Sequence, residues 1–574
     1  MEVRDSRRVP GLNVIWDRPG AVLDVTLESA ATEAFIAAWK RAAGEAQTAL
    51  SWEIALATRP IQGGLSLALG SPMDGLFTAT EVNEWACAHA AAELEGSTPR
   101  ELAAALPEFK REFERERGRR KGLVELLDAA AAHGVSSFSD DERTSIGMGR
   151  GSQSYSNSKL PSPDMVSWAS VHDIPVALVT GTNGKSTSVR LLAAIVAEAG
   201  LVAGMSTTDW VRVGDEILEQ GDFSGSSGAR MVLRDARVDI GLLECARGGL
   251  SRRGLGVRRA SVALITNLAE DHLGEWGVHD LAALGDVKFV VARAVEQAGV
   301  LVLNADDSEL LRRGMALSTR NVAYFTRDPG QRQVLAHLQS GGAAAFLEDG
   351  GLWYARGASR ERILTVDEAQ FLMNGAAGHN VSNALGAICV AFALGLGAGA
   401  IRAGLRGFSS DPKANPGRLN RFELGGLIAL CDFAHNPHGM RALFEMSAAL
   451  SARRTLVILG QAGDRDDHSI RELARLSAEA RPDRIVIKEM PEHLRGREPG
   501  VVVGMIAGEL ELCGFPAANV EFADNELDAV RRSLAWARDG DLLLLLLHAQ
   551  REEVLSWLDR LKRAKWIPGA PLPD

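Results

Sequence analysis

The stretch that most constrains this chain is Val176–Ser188, which reads Val-Ala-Leu-Val-Thr-Gly-Thr-Asn-Gly-Lys-Ser-Thr-Ser. An apolar run suited to a buried strand turns through Gly181 and Gly184 into Lys185 and Ser186, and a helix-forming segment, Val189–Glu198, follows. Strand, glycine-bearing turn, Lys-Ser and helix, in that order, make a loop that cradles phosphate. Backbone N–H groups along Gly181, Thr182, Asn183, Gly184 and Thr187 and a helix N-terminus face the anion. Lys185 adds a point charge, and Ser186 offers a hydroxyl to Mg²⁺. The general pattern places its first glycine six residues before the lysine. Here that position is Val179, so the loop is a shortened form.

Around this loop the chain alternates apolar strands with helices. The expected strands are Val176–Val179, Ile240–Leu243, Ala263–Thr266 and Val300–Leu303. Such alternation predicts an α/β fold with a mostly parallel, helix-covered sheet. A second α/β pattern begins near Gly417, with strands Leu427–Cys431, Thr455–Leu459, Arg484–Ile487 and Leu542–Leu547. Ser410–Pro416, with two prolines, reads as a hinge. The first 150 residues differ: short strands at Leu23–Leu27 and Leu65–Leu69, a helix over Ala31–Glu53, and two or three helices over 78–133. Lys110–Lys121 is a mixed-charge run expected to form a solvated helix face with i,i+4 pairs. Gly147–Pro163 is rich in Gly, Ser and Pro and reads as a linker. The expected organisation is an N-terminal α+β domain over 1–150, a linker over 151–170, a central phosphate-loop domain over 171–414 and a C-terminal Rossmann-like α/β domain over 415–574.

Bulk properties narrow the function. At 574 residues and 46% hydrophobic content the chain has ample core for several domains. A net charge of −11 argues against a nucleic-acid partner, whose binder is usually basic. The longest apolar run, Leu542–Leu547, is too short for a bilayer, and Met1–Arg8 lacks the apolar core of a signal peptide. The five cysteines show no metal-ligand or redox spacing. A cytoplasmic protein without a membrane partner is expected.

A nucleotide site needs oxygen ligands beyond the loop. Glu244 ends the strand Ile240–Leu243, and a carboxylate at the carboxyl end of a parallel strand lies where such sheets bind ligands. His272 lies in Glu270-Asp-His-Leu-Gly274, directly after another strand, as a metal ligand or a loop histidine. Lys288, taken alone, is a helix lysine.

These motifs together resemble the Mur ligase superfamily, and within it the cyanophycin synthetases. The resemblance rests on Thr180–Thr187, Ser206-Thr-Thr-Asp209, Gly228-Ala-Arg-Met231, Leu243-Glu-Cys-Ala-Arg-Gly-Gly249, Thr266-Asn267, Glu270–Gly274 and Leu303-Asn-Ala-Asp-Asp307. It continues through Gly378-His-Asn-Val-Ser-Asn383, Asn415-Pro-Gly-Arg418 and Cys431-Asp-Phe-Ala-His-Asn-Pro437. It implies that Ser186 and Glu244 hold one Mg²⁺, and that His272 and a carbamylated Lys288 hold a second. Asn304, Asn380 or Asn383, and Asp432 would contact the ATP nucleoside, and Arg418 would reach the γ-phosphate on closure. His435 and Asn436 would face the reacting centre. Thr207, Thr208, Asp209, Arg230 and Arg247 would bind substrate. Gln461–Asp466 and Ile487–Met490 with Leu494–Arg497 are similar to C-terminal elements of the same proteins, which implies that Asp464, Arg465, Lys488 and Arg495 read an amino acid.

Pro10–Pro19 is similar to the opening of the cyanophycin synthetase N-terminal domain. Those proteins carry an ATP-grasp domain between that domain and the Mur-like part, where this chain has only Gly147–Pro163. The resemblance therefore implies an ATP- and Mg²⁺-dependent ligase with one active site of two. It would join an amino acid to an acidic acceptor, small or peptidic, through an acyl phosphate, and homo-oligomers are expected because related synthetases associate. A peptidoglycan- or folate-type ligase and an inactive nucleotide-binding subunit are the alternatives.

Overall fold

The computed structural model describes residues 1–27, 32–61, 63–271, 274, 277–317 and 321–573. At its centre lies an eleven-stranded sheet. Its parallel core runs, in spatial order, Ala203–Ser206, Ile240–Glu244, Val176–Thr180, Ala260–Ile265, Val295–Asn304, Asn321–Thr326 and Ala343–Glu348. Antiparallel strands Trp210–Val213 and Glu216–Gln220 extend one edge, and Gly351–Arg356 and Ser359–Thr365 the other. Strands buried on both faces read as unbroken apolar runs, and Val176–Thr180 is buried along its whole length.

Two apolar layers sandwich this sheet. On one face the phosphate-loop helix Lys185–Glu198 and the helix Gly378–Ala393 bury Leu191, Ile195, Leu385 and Ile388 against Leu242 and Leu264. On the other, Val232, Leu250, Val287 and Leu310 meet Leu243, Ala263 and Leu301. Asp280, Asp307 and Asn436 each cap the helix that follows by accepting a backbone N–H.

The C-terminal sheet runs Asn420–Leu424, Leu427–Asp432, Leu542–Leu546, Thr455–Leu459, Arg484–Lys488 and Val520–Ala523, parallel except at Asn420–Leu424. Both its faces are covered by helices.

The N-terminal sheet is antiparallel, in the order Glu2–Val9, Gly20–Thr26, Gly64–Gly70, Leu56–Ile61, and is covered by helices Thr32–Ala49, Leu76–Leu94 and Leu102–Ala132. Trp39 donates its indole N–H to Asn83 (2.9 Å), which donates in turn to the Leu67 carbonyl (2.9 Å), so a buried polar relay ties two helices to a strand. The segment after Val9 leaves this sheet and plugs Leu12 into the apolar layer of the central one. Leu255 N–H donates to the Leu12 carbonyl at 2.8 Å and Arg293 to that of Asn13 at 2.7 Å.

The Gly147–Pro163 segment corrects the linker expectation in part. Gln153–Ser156 is a strand paired with Arg143–Ile146, which pairs in turn with Ser137–Ser139 in a small sheet of its own. Its polar side chains gave no apolar alternation, and Ser145 and Ser154 pair through their hydroxyls at 2.7 Å instead. Among the described residues no helix is long and apolar enough to cross a membrane.

Candidate active site

Four adjacent central strands each deliver a polar group at the carboxyl end: the phosphate loop after Thr180, Glu244, Thr266-Asn267 and Asn304. The C-terminal sheet does the same with Asp432, Gln461 and His548. The two carboxyl edges face each other across a cleft of about 1720 Å³. This is the position at which open α/β sheets bind ligands.

The phosphate loop is held by its own backbone and by its neighbours. Gly184 has φ +83°, and a Cβ there would lie 2.2 Å from Asn383 Oδ1. Asn183 N–H donates to Asn267 Oδ1 at 2.9 Å, and Thr266 Oγ1 donates to the Asn183 carbonyl at 2.6 Å. Thr182 N–H donates to the Asn267 carbonyl at 3.0 Å. Lys185 Nζ donates to the Thr182 carbonyl at 2.9 Å, folded back over the loop.

Beside the loop Ser186 Oγ donates to Glu244 Oε2 at 2.8 Å, and Thr208 N–H reaches the same oxygen at 3.3 Å. Glu244 is 1% exposed, yet its other oxygen, Oε1, is buried without a partner. An orphaned carboxylate oxygen beside a serine hydroxyl is a hard donor pair that fits Mg²⁺, which takes one or two protein oxygens together with phosphate and water. Among the described residues no cluster of three or more His, Cys, Asp and Glu side chains is placed to hold a metal.

Lys288, in the last turn of the helix Leu281–Lys288, lines the same wall and is 2% exposed. Burial first, then the charges of Lys185 and Arg247, push its amine well below the usual lysine range, against the pull of Asp271 and Glu244.

The opposite wall carries Arg418, which stacks on the Phe433 ring at 4.6 Å. Phe433 also meets His435 and His548 edge-on at 5.1 and 5.3 Å, so one apolar ring spaces three basic groups. Asp432 accepts from Leu419 N–H (3.0 Å) and Ala434 N–H (2.8 Å), holding the turn that presents them. His435 Nε2 lies 3.8 Å from Asp271, to which Arg465 donates at 2.6 Å across the cleft. Asn183 pairs with Asn436 through both amides at 3.1 and 3.2 Å, and its Nδ2 is 3.0 Å from His438 Nδ1. Burial pushes His438 and His548 below the usual histidine range.

Most residues singled out in the sequence line this cleft, including Arg247, Asn304, Asn380, Asp464 and Arg495. His272 lies outside the described residues. Four stand behind the lining. Asn436 caps the helix Pro437–Ala448 while it holds Asn183. The hydroxyl of Thr207 serves its own turn, accepting from Asp209 N–H at 3.2 Å. The Arg230 guanidinium faces Asp140 at 4.0 Å, away from the loop. Lys488 has a side chain with no exposure; its ammonium bonds Glu526 and the Leu546 carbonyl inside the protein, so it is placed to hold a loop, not to read a ligand. Asn267 and Asp271 stand in motifs quoted from the sequence without a role of their own, and His438, Arg190 and Arg551 were not singled out, because each acts on a partner remote in sequence.

Known families match both halves of this site. The Mur ligase middle domain family matches residues 179–391, and the Mur ligase glutamate ligase domain family matches 417–546. This chain belongs to the Mur ligase superfamily. Among its relatives, the cyanophycin synthetase of Trichormus variabilis is 38% identical over 374 residues, which are 65% of this chain and 41% of that protein. A UDP-N-acetylmuramoyl-L-alanyl-D-glutamate–2,6-diaminopimelate ligase of Geobacter metallireducens is 26% identical over 65% of this Mur ligase chain and 73% of its own. The chain spans about two fifths of the length of the cyanophycin synthetases it matches. Among solved structures, a bifunctional folylpolyglutamate synthase/dihydrofolate synthase from Yersinia pestis, complexed with AMPPNP and Mn ion, has a TM-score of 0.47 at 21% identity, covering 64% of this chain and 85% of that one. The superfamily is one of ATP-dependent, amide-bond-forming ligases.

Proposed function

We propose that this Mur ligase chain joins the amine of an amino acid to the carboxylate of an acidic acceptor, at the expense of ATP. One observation carries the proposal: the Ser186–Glu244 pair with its orphaned Oε1 stands in the same cleft as Arg418, His435 and Arg465 of the other sheet. An acceptor carboxylate oxygen would bond to the γ-phosphorus, and the bond to the bridging oxygen would break to release ADP. The amine would then bond to the acyl carbon, the acyl–phosphate C–O bond would break, and the nitrogen would lose a proton. Lys185 and Arg418 would offset phosphate charge from opposite sides, and holding both reactants between the sheets lowers the entropic part of the barrier. His435, beside Asp271, is the proposed acceptor of the amine proton.

Ser186 and Glu244 are the proposed holders of Mg²⁺, which when bound would neutralise charge developing on the phosphates. A second ion is proposed on the resemblance alone, at Lys288 and at His272, which lies outside the described residues. Burial favours the neutral form of the Lys288 amine, the form that would add to CO₂ to give a carbamate and release one proton. The carbamate would place a negative group beside Lys185 and Arg247. Carbon-13 NMR in labelled bicarbonate tests this: a carbamate resonance absent from Lys288→Ala is expected, and its absence from the wild type refutes the modification.

The N-terminal similarity favours an aspartate-containing acceptor over a peptidoglycan or folate one. Five free cysteines suit a reducing cytoplasm. ADP release measured with a panel of amino acids and acidic peptides, followed by mass spectrometry of the products, tests the reading. Turnover that requires both substrates and is abolished in Lys185→Ala is expected. Activity persisting in Lys185→Ala would refute the site, and no turnover with any pair would favour a subunit that only binds nucleotide.

A further inference from the structure

Three side chains from distant parts of the chain converge on one wall of the cleft. Arg190 belongs to the phosphate-loop helix, Asp209 follows the strand Ala203–Ser206, and Arg551 begins the C-terminal helix Arg551–Arg563. Both carboxylate oxygens of Asp209 are taken: Oδ2 by Arg190, and Oδ1 by Arg551 at 2.6 Å. The Asp209 and Arg190 side chains are 5% and 3% exposed, so the pair is screened from solvent. Arg190 also donates to Asn415 Oδ1 at 2.6 Å, which ties the phosphate-loop helix to the segment between the two sheets.

Two further observations say how Arg551 arrives there. Gly417 has φ +66°, and a Cβ at that position would lie 2.5 Å from Arg551 Cδ. The arginine stem therefore crosses directly over a residue that carries no side chain. Behind it, the backbone that carries Arg551 is held from inside the C-terminal sheet. Glu526, paired with Lys488, accepts the N–H groups of His548 (2.7 Å), Ala549 (3.2 Å) and Gln550 (2.9 Å). A buried ion pair at the sheet's carboxyl edge thus sets the starting point of the arginine.

Asp209 is equally well connected on its own side. It follows Thr208, whose N–H donates to Glu244 Oε2 at 3.3 Å and whose hydroxyl is 3.2 Å from Ser186 Oγ. Burial alone would raise the Asp209 carboxyl, but Arg190, Arg551 and Arg418 outweigh it and hold the group below the usual carboxylate range, so it stays an anion.

We infer that Arg190, Asp209 and Arg551 form a latch that clamps the C-terminal sheet onto the phosphate-loop helix and sets the Ser186–Glu244 pair against the opposite wall. Asp209 and Arg551 are positioning residues in this scheme, because they act through Thr208 and the clamped sheet. Both oxygens of Asp209 already accept from an arginine, which favours a positioning role over the substrate contact that the resemblance implied. The inference rests on the reading of the cleft as a nucleotide-using ligase site, but it makes a claim about closure that can be measured without turnover.

The test uses the full chain and its R551M, R551K and D209N variants, with AMPPNP and Mg²⁺ as the probe. Small-angle scattering reads compactness, calorimetry reads nucleotide affinity, and amine-dependent ADP release reads kcat and KM. R551M is expected to scatter as a more extended particle, with AMPPNP affinity and the KM for ATP within about threefold of wild type and kcat down about tenfold or more. R551K keeps a cation in reach of Asp209 and is expected to recover part of the compactness and of kcat. Losses in D209N and R551M are expected to be non-additive in the double variant, because both break one contact. Wild-type compactness and kcat in R551M would overturn the latch. Failure of the wild type to bind AMPPNP would overturn the nucleotide reading instead, and the scattering comparison would still decide the latch.

Discussion

At the scale of single residues, Gly184 decides whether the phosphate loop can exist. Its φ of +83° costs an L side chain about 1–2 kcal/mol, and a Cβ would lie 2.2 Å from Asn383 Oδ1. Gly184→Ala is therefore expected to weaken AMPPNP·Mg²⁺ binding by about tenfold, which is about 1.4 kcal/mol, read by calorimetry. Adding Asn383→Ala removes the clash but not the backbone strain, so thermal stability should recover only in part. A second residue-scale expectation concerns acid. Burial lowers His337, His379, His438 and His548 in the folded protein, His548 most strongly. The unfolded chain then binds protons near pH 6.5 that the folded one does not. Stability held above that pH is lost as pH falls toward the folded-state values. Melting temperature should drop between pH 7 and pH 5, and less steeply in His548→Gln. A melting temperature flat across that range would count against buried neutral histidines. The residues legible in the sequence were those with a local partner or a motif, such as Lys185 and Glu244. Lys488 was misread because its partner Glu526 lies 38 positions away, and nothing in Ile487–Met490 says which way its amine turns.

At the scale of elements, strands with unbroken apolar runs were legible because both their faces are buried, as at Val176–Thr180 and Leu542–Leu546. Glu2–Val9 was not. It is an edge strand, Glu-Val-Arg-Asp-Ser-Arg-Arg-Val, whose inward contacts are an ion pair, Arg7 with Asp24 at 2.6 Å, and a single apolar residue, Val9. The charged run in the helix Leu102–Ala132 was read as a solvated face, and Arg115–Glu112 and Lys121–Glu125 fit that description. Glu116 departs from it. Its side chain is 4% exposed and accepts the N–H groups of Phe77 and Thr78 at 3.2 Å, at the start of the helix Leu76–Leu94. A carboxylate there satisfies free donors and faces the positive end of the helix dipole. Glu116→Gln should cost about 1–2 kcal/mol, seen as a lower denaturant midpoint without a change of slope. A midpoint unchanged in Glu116→Gln would mean that the helix start is held by packing alone.

For the whole molecule, the sequence announced two α/β patterns and the break between them, but not how the two sheets meet. That arrangement depends on pairs such as Arg465–Asp271 and Arg551–Asp209, separated by 194 and 342 positions, for which no local pattern exists. The N-terminal layer was legible as helices over a small sheet, while its attachment to the centre was not. That attachment runs through Leu12, which leaves one sheet to lie among Leu250, Leu255 and Val257 beneath another. Two layers that share an apolar cluster gain their stability jointly, so neither can melt without exposing the other. Heating should therefore unfold residues 1–27 and the central strands in a single calorimetric peak. Leu12→Ala, which leaves a cavity worth about 2–5 kcal/mol, should move that whole peak down without splitting it. Two resolved peaks in the wild type would show instead that the plug is loose. A leucine that reads as ordinary in the sequence thus makes the N-terminal layer a thermal dependant of the sheet that carries the phosphate loop.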